Sequence, residues 1–316
     1  MICTRNRPDA LAQTLEHVAA QHGAAHRRVL VVDASDAAAA ERTHHIVARH
    51  RDTDLPFHYH RFSGPPAGTR QRNKGVDLLP PSVQLVHFID DDASPTAGYF
   101  DALSDALCRH PSLLGVGGLI TAPDQPTDAS PGRTLTHRLQ RLFLLHANQP
   151  SRVLPSGQTT PAWSTPDSSL QRAEWLSTCA STYRREVFTR HRFDPAVEGP
   201  SPRLEDLDFS FRVAQDGPLA VVPDAECIHR FSPHNRHRTA ARVRERTARR
   251  YWFVEKNLGR YPNRLAYWWS LLGRLLALIA SSRPNRDAAL RGLLRGIQTV
   301  WTRDHPLLQR APADGG

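Results

Sequence analysis

The sequence predicts a layered α/β fold: a mixed, mostly parallel, Rossmann-like sheet flanked by helices, with a helical extension at its C-terminal end. Three observations carry this. Over roughly the first 120 residues, short apolar runs alternate with amphipathic helical stretches, the pattern of a mostly parallel sheet. One run, Val83–Ile89, is apolar on both faces, as strands covered from both sides are. After His229 the periodicity is helical almost to the end.

Ile2–Thr4 reads as a strand that lacks its beginning, for which a misassigned start codon is one explanation. A helix from Pro8 to Gln21 puts Leu11, Leu15, Val18 and Ala19 on one face. Val29–Asp33 is a second strand, and an Ala-rich helix follows to about His50. Phe57–Phe62 alternates like a half-exposed edge strand. A loop at Gly64–Gly68 leads into a helix near Thr69–Leu79, then come the Val83–Ile89 strand, a helix over Ala97–Arg109 and a strand at Gly115–Ile120. From Thr121 to about Ser169 the pattern breaks into Pro, Ser, Thr and Gly around one basic-apolar helix, Thr134–His146. Loops this long are usually functional or disordered. Regular structure returns at Trp175–Tyr183, with helices near Arg185–Arg190 and over Leu204–Gln215, and short strands at Leu219–Val222 and near Cys227. The expected domains are residues 1–230 and 231–316.

With 316 residues the chain can bury one large core, or one domain with an appendage. Its net charge of +10 implies an anionic partner such as nucleotide, phospholipid or nucleic acid. Four scattered cysteines without a CxxC pair argue against a zinc site or disulfide framework and for a reducing cytosol. The opening residues do not read as a signal peptide, and no apolar stretch has bilayer-spanning length.

The most telling segment is Val86–Pro95, where a buried strand runs into Asp90, Asp91 and Asp92. Open α/β sheets bind ligands at this end of their strands. Adjacent carboxylates repel, so their retention suggests a shared cation, and a hard divalent metal completed by substrate phosphates fits. The plainer alternative is a solvated acidic turn. Asp33, also at a strand end, suits hydrogen bonds from a base or ribose, or a helix cap. Gly64–Gly75 joins a flexible loop, a helix N-terminus and the cations Arg70, Arg72 and Lys74, which suits a phosphate, although GxxxxGK[ST] and GxGxxG are both absent. Glu205-Asp206-Leu207-Asp208 opens an amphipathic helix. Acids there answer the helix dipole, and Asp208 can pair with Arg212, but Asp206 is also placed to act as a general base.

In this order the motifs resemble family 2 glycosyltransferases, which have the GT-A fold and use nucleoside-diphosphate sugars. The carrying residues are Cys3-Thr4-Arg5-Asn6-Arg7-Pro8, Val31-Val32-Asp33, the Gly68–Gly75 loop-helix, Phe88-Ile89-Asp90-Asp91-Asp92 and Gly117-Gly118. Tyr183–Phe188 with Phe193-Asp194, Glu205–Arg212 and His229 continue the match to about residue 230, and Tyr251–Asn257 looks like the tail helix of bacterial members. The resemblance implies that Thr4 and Asp33 contact the base, with Arg5 or Arg70 near the diphosphate. Asn73, Asp90 and Asp91 join the nucleotide-sugar site. Asp92 and Asp90 would hold Mg2+ or Mn2+, with His229 as third ligand or diphosphate contact, and Asp206 would deprotonate the acceptor hydroxyl. The family suggests a UDP- or dTDP-sugar donor, a base opposite the leaving group gives a single displacement with inversion, and a basic, Trp-rich tail points to a saccharide or lipid-linked acceptor, in cell-surface polysaccharide or glycolipid synthesis. Thr121–Ser169 aligns with nothing in the family. Two other classes share part of the pattern: a sugar-nucleotide-forming nucleotidyltransferase, which should carry a Gly-rich loop where residues 2–10 have no glycine, and a non-catalytic nucleotide-sugar-binding protein.

Beyond the motifs, Arg238, Arg242, Arg246 and Arg250 form a slowly drifting basic stripe, followed by apolar Leu265–Ala280 with Tyr267, Trp268 and Trp269. Residues 236–280 either reach an anionic membrane surface from the cytoplasmic side, or pack on the catalytic domain with the tryptophans in a core. Nucleic acid is not expected, since no recognised fold signature accompanies the arginines.

Overall fold

The structure is a computed structural model that describes residues 1–21, 27–50, 55–121, 135–162, 170–197, 204–230, 240–282 and 284–310. The chain divides into two compact units. The first comprises Met1–Asp128, Ala162–Glu198 and Glu205–Phe231, and the second Ala129–Pro161, Gly199–Leu204 and Ser232–Gly316.

The first unit is built on a mixed sheet flanked by helices. Its strands are β1 (Ile2–Thr4), β2 (Val29–Asp33), β3 (Phe57–Arg61), β4 (Leu85–Asp90), β5 (Ala93–Pro95), β6 (Gly115–Thr121), β7 (Gln171–Ala173), β8 (Ala180–Arg184) and β9 (Leu219–His229). They lie in the order β3-β2-β1-β4-β8-β6-β9-β5, with β7 on β9. The block β3-β2-β1-β4 is parallel, as is the pair β6 and β9; β8 enters antiparallel between β4 and β6.

Only three residues long, β1 nonetheless sets the register of the site. Thr4 pairs with Asp33 and Cys3 with Asp90, so three strands end level with one another. From β1 the chain moves to β2 and β3 on one side, and later returns to place β4 on the other. That reversal of strand order opens a crevice at the carboxyl ends of β1 and β4.

The strands expected at Leu219–Val222 and near Cys227 are one 11-residue strand. Pro223 and Asp224 read as a break, but β9 bulges there and stays on β6, its pairing stepping from Val222 opposite Gly118 to Glu226 opposite Leu119. The later half of β9 pairs with β5, which a sequence reading misses because Pro95 sits in it. This pairing brings His229 opposite Ala93, next to the aspartates.

Packing on the two faces fixes the helices. On one face α1 (Pro8–Ala19) and α4 (Tyr99–Arg109) bury Leu11, Leu15, Val18, Phe100 and Leu103 against Val29, Val31 and Ile89. On the other, α3 (Gly68–Asp77), α6 (Val187–Arg190) and α7 (Glu205–Asp216) bury Val76, Phe188, Phe209 and Val213 against Val86, Phe88 and Tyr183. Phe193 stacks on Phe209 with ring centroids 4.1 Å apart. Each such buried ring is worth about 1.5–3 kcal/mol, and the cluster anchors α7 so that its acidic first turn is held in place. Beyond these, α2 (Ala37–Ala48) completes the flank of the parallel block.

The second unit is helical: α5 (Leu135–Leu142), α8 (Ala240–Phe253), α9 (Tyr261–Ile279), α10 (Arg286–Trp301) and α11 (Pro306–Gln309). Gly292 and Gly296 let α10 approach α8 closely, since a Cβ on them would lie 2.4 Å from the Ala240 carbonyl oxygen and 2.6 Å from Thr247 Cβ. The basic stripe expected along α8 turns inward here. Arg250 is buried, donating to Gln158 Oε1 at 2.5 Å and Ser270 Oγ at 3.0 Å. An every-fourth-residue row drifts by about 40° per step, enough to carry it from the surface into the packed face. Arg236 and Arg238 lie outside the described residues. Among the described residues no helix is long and apolar enough to cross a membrane.

Candidate active site

The carboxyl ends of β1 and β4 gather the aspartate cluster. Thr4 Oγ1 donates to Asp91 Oδ2 at 2.7 Å. Arg7, just ahead of α1, donates from Nη1 to Asp91 Oδ1 at 2.6 Å and from Nη2 to Asp92 Oδ2 at 2.5 Å. Part of the cation expected between these acids is therefore an arginine. Burial pushes the Asp91 carboxyl up to about 6, against the pull of Arg7 and Thr4, which leaves it ionised at neutral pH. Burial also raises Asp92, but His229 and Arg7 outweigh it and the net shift is downward. His229 Nε2 lies 2.8 Å from Asp92 Oδ1, and Arg230 N donates to the Asp92 carbonyl at 2.9 Å. These bonds tie the end of β9 to the turn after β4.

A second arginine joins this cluster to α7. Arg72 lies 3.4 Å from Asp90 Oδ1 and 3.4 Å from Glu205 Oε1, with its guanidinium over the Phe193 ring. Burial opposes its charge, yet the carboxylates of Glu205 and Asp90 hold it above the usual arginine range. Its helix is fixed by Gln71, whose Nε2 donates to the carbonyls of Thr4 at 2.9 Å and Val32 at 2.8 Å. Asp206 sits beside Glu205, half-buried; Ser177 Oγ donates to its Oδ2 at 3.2 Å and Leu207 N to its Oδ1 at 2.9 Å. Burial, then the neighbouring Glu205, push the Asp206 carboxyl up to about 7, with Arg72 pulling the other way. A carboxylate poised near neutrality in a cleft has the properties of a general base.

Asp90, Cys179 and His229 offer ligand atoms that all lie within 4.8 Å of one another. A hydrogen bond with Cys227, then burial, raise the Cys179 thiol, and the other two donors are a carboxylate and an imidazole. The carboxylate and the imidazole are donors that a divalent metal accepts. Asp92 stands one step back from them, engaged by Arg7 and His229 in the manner of a carboxylate that orients a ligating histidine.

The remaining expected site residues are Asp33, Asn73, Arg5 and Arg70. Asp33 is fully buried, accepting from Ser35 N at 2.8 Å, from Ser35 Oγ and from Tyr59 OH at 2.9 Å, with Arg61 3.8 Å away. Asn73 spends its amide on the Phe193 backbone at 2.8 and 3.0 Å. Arg5 and Arg70 are exposed. Sequence reasoning assigned no role to Arg7, Ser177 or Cys179, and saw Arg72 only as one cation of a loop. A lone arginine in a motif carries no sign of which distant acid it will meet. A cavity of about 540 Å³ lies at the opposite ends of the strands, lined by Met1, Ile2, Val29, Leu85, His87 and Phe100. Among the described residues that line it there is no Asp or Glu.

Residues 1–160 match the family described as glycosyl transferase family 2, which is half of the chain. The chain belongs to this family. It is a glycosyltransferase. No curated protein matches it in sequence. Solved structures agree on the fold. TarS 1-349 of S. aureus in complex with UDP-GlcNAc is 14% identical with a TM-score of 0.54, covering 95% of this chain and 80% of that one. The mannosyltransferase PcManGT of Pyrobaculum calidifontis with GDP-Man and Mn2+ is 15% identical with a TM-score of 0.56, over 96% and 86%. GalNAc-T7 with UDP, GalNAc and Mn2+ is 13% identical with a TM-score of 0.60, over 97% and 57%. At these identities the likeness shows the GT-A fold of the glycosyltransferase.

Proposed function

We propose that this glycosyltransferase moves a sugar from a nucleoside-diphosphate donor to a hydroxyl acceptor, with inversion and with a divalent metal, in cell-surface polysaccharide or glycolipid synthesis. The observation that carries the reading is the bridge made by Arg72. It joins Asp90 at the end of β4 to Glu205 at the head of α7, 115 positions apart, and so sets Asp206 beside the aspartate cluster. The bound donors of the structural neighbours, UDP-GlcNAc and GDP-Man, support a nucleotide-sugar, with UDP or dTDP as the expected carrier here.

In this reading Asp206 accepts the acceptor's hydroxyl proton as the new bond forms, and Ser177 and the Leu207 amide orient its carboxylate. Attack from the side opposite the leaving group inverts the anomeric carbon. Asp90 and His229 would hold Mn2+ or Mg2+, with Asp92 orienting His229; the metal supplies charge stabilisation for the departing diphosphate. Arg5 and Arg70, exposed near the end of β1 and the start of α3, would contact the diphosphate. Asp33 and Thr4 shape the base side, Asp33 by holding Ser35 and Tyr59, and Thr4 by fixing Asp91. Asn73 braces the segment beneath Arg72, and Asp91 locks Arg7. All of these residues belong to the first unit.

The test is a panel of UDP-, dTDP- and GDP-sugars, titrated with Mn2+ and then with excess chelator. At least one should bind and be slowly hydrolysed with Mn2+, and both signals should fall at least about tenfold on metal removal. A chain that binds no nucleotide-sugar in either condition overturns the reading.

A further inference from the structure

On α9 the apolar face points outward. Tyr261, Leu265, Trp269, Leu272, Leu276 and Ile279 are all exposed, Tyr261 by 71% and Ile279 by 57%. At 100° per residue the six fall within an arc of about 80° that contains no charge, in a stripe about 27 Å long. The opposite side of the same helix is buried through Tyr267, Ser270, Leu271 and Gly273. Beside the stripe, Trp269 Nε1 donates to the Leu142 carbonyl of α5 at 2.8 Å, and α5 adds Leu139 and Leu142 to the exposed apolar surface. A row of this kind on a helix packed inward on its other side is unusual on a lone molecule.

Charge selects what covers it. Residues 240–310 hold fifteen Lys and Arg against four Asp and Glu, so the chain's excess of +10 resides here and the remainder is close to balanced. Arg138, Arg141, Arg260 and Arg264 are exposed on α5 and at the start of α9. A second copy docked symmetrically would set these arginines against like charges, and nucleic acid has no use for a row of leucines. An anionic bilayer surface satisfies both: acyl chains take the leucines, phosphates take the arginines, and Tyr and Trp sit at the headgroup boundary. We propose that α9, with α5 beside it, docks the enzyme on an anionic phospholipid surface, lying along it without crossing.

The docking is independent of turnover and is tested without it. The full chain is sedimented with vesicles of phosphatidylglycerol and phosphatidylcholine, and with phosphatidylcholine alone. Binding is expected only to the anionic vesicles, weakening as salt rises. The triple variant Leu265→Glu, Leu272→Glu, Leu276→Glu changes only exposed positions, and should bind at least about tenfold more weakly while its thermal unfolding and nucleotide-sugar binding are kept. A second variant, Arg138→Glu with Arg141→Glu, should reduce binding to anionic vesicles alone. The proposal is overturned if the wild-type chain ignores anionic vesicles at low salt, or if the triple variant binds as well as wild type. It is equally overturned if the wild type forms a dimer that the triple variant dissolves and neither binds vesicles, which assigns the stripe to a second copy.

Discussion

Arg72 in the first unit and Arg250 in the second are both buried, yet they are held in opposite ways. Arg72 lies between the carboxylates of Asp90 and Glu205, which hold its charge above the usual arginine range. Arg250 meets the neutral oxygens of Gln158 and Ser270 and the face of Tyr267, and burial pulls it down to about 10; its Nε finds no partner among the described residues. Buried charge by itself therefore says little about function. What distinguishes Arg72 is that it neutralises two acids from distant elements, Asp90 and Glu205, beside the proposed base, whereas Arg250 links α8, α9 and the 149–161 segment within one helical unit.

The sharpest way to break this contrast is at Asp206, the proposed base, which Arg72 pulls down. Asp206→Asn should lower turnover by about 10³-fold while metal-dependent donor binding persists, read by single-turnover assay and calorimetry. Unchanged turnover would remove Asp206 from the mechanism. Next, Arg72→Met removes the buried cation between half-buried Asp90 and buried Glu205 and should destabilise the chain by about 3–5 kcal/mol in urea unfolding. In surviving enzyme the pH–rate inflection should move upward, because the charge that pulls Asp206 down is gone.

A smaller effect is expected from pH in the wild type. The base must be unprotonated, so turnover should fall as pH drops through about 7, and the inflection should vanish in Asp206→Asn. Stability runs the other way for this group. Its folded value lies above the ordinary 3.8, so its contribution is full below about 4 and is lost as pH rises through about 7. The smallest change should come from Arg250→Met, which removes a buried charge without stranding another and should cost about 1 kcal/mol or less, with donor binding untouched. A loss as large as that of Arg72→Met would erase the distinction between the two arginines.

Much of this was legible before the structure. Alternating apolar runs and amphipathic helices give the layered fold, because burial of one face is written locally with period two or 3.6. Strand-end positions of Asp33 and Asp90 and the helix-start position of Asp206 follow from the same patterns, since strand and helix ends are local events. Pro95 and Pro223 hid β5 and joined β9, because pairing with a distant strand outweighs the local signal of a proline.

The sequence alone determined which residue types were present at the ends of which elements, and hence the family and the chemistry open to it. Only the tertiary structure decided which charges meet. Arg7 is 84 and 85 positions from Asp91 and Asp92, Arg72 is 133 from Glu205, and Asp92 is 137 from His229. It also decided that α9 turns Leu265, Leu272 and Leu276 outward and that Arg250 turns in. Periodicity names the faces of a helix, but which face is covered depends on what the rest of the chain brings against it.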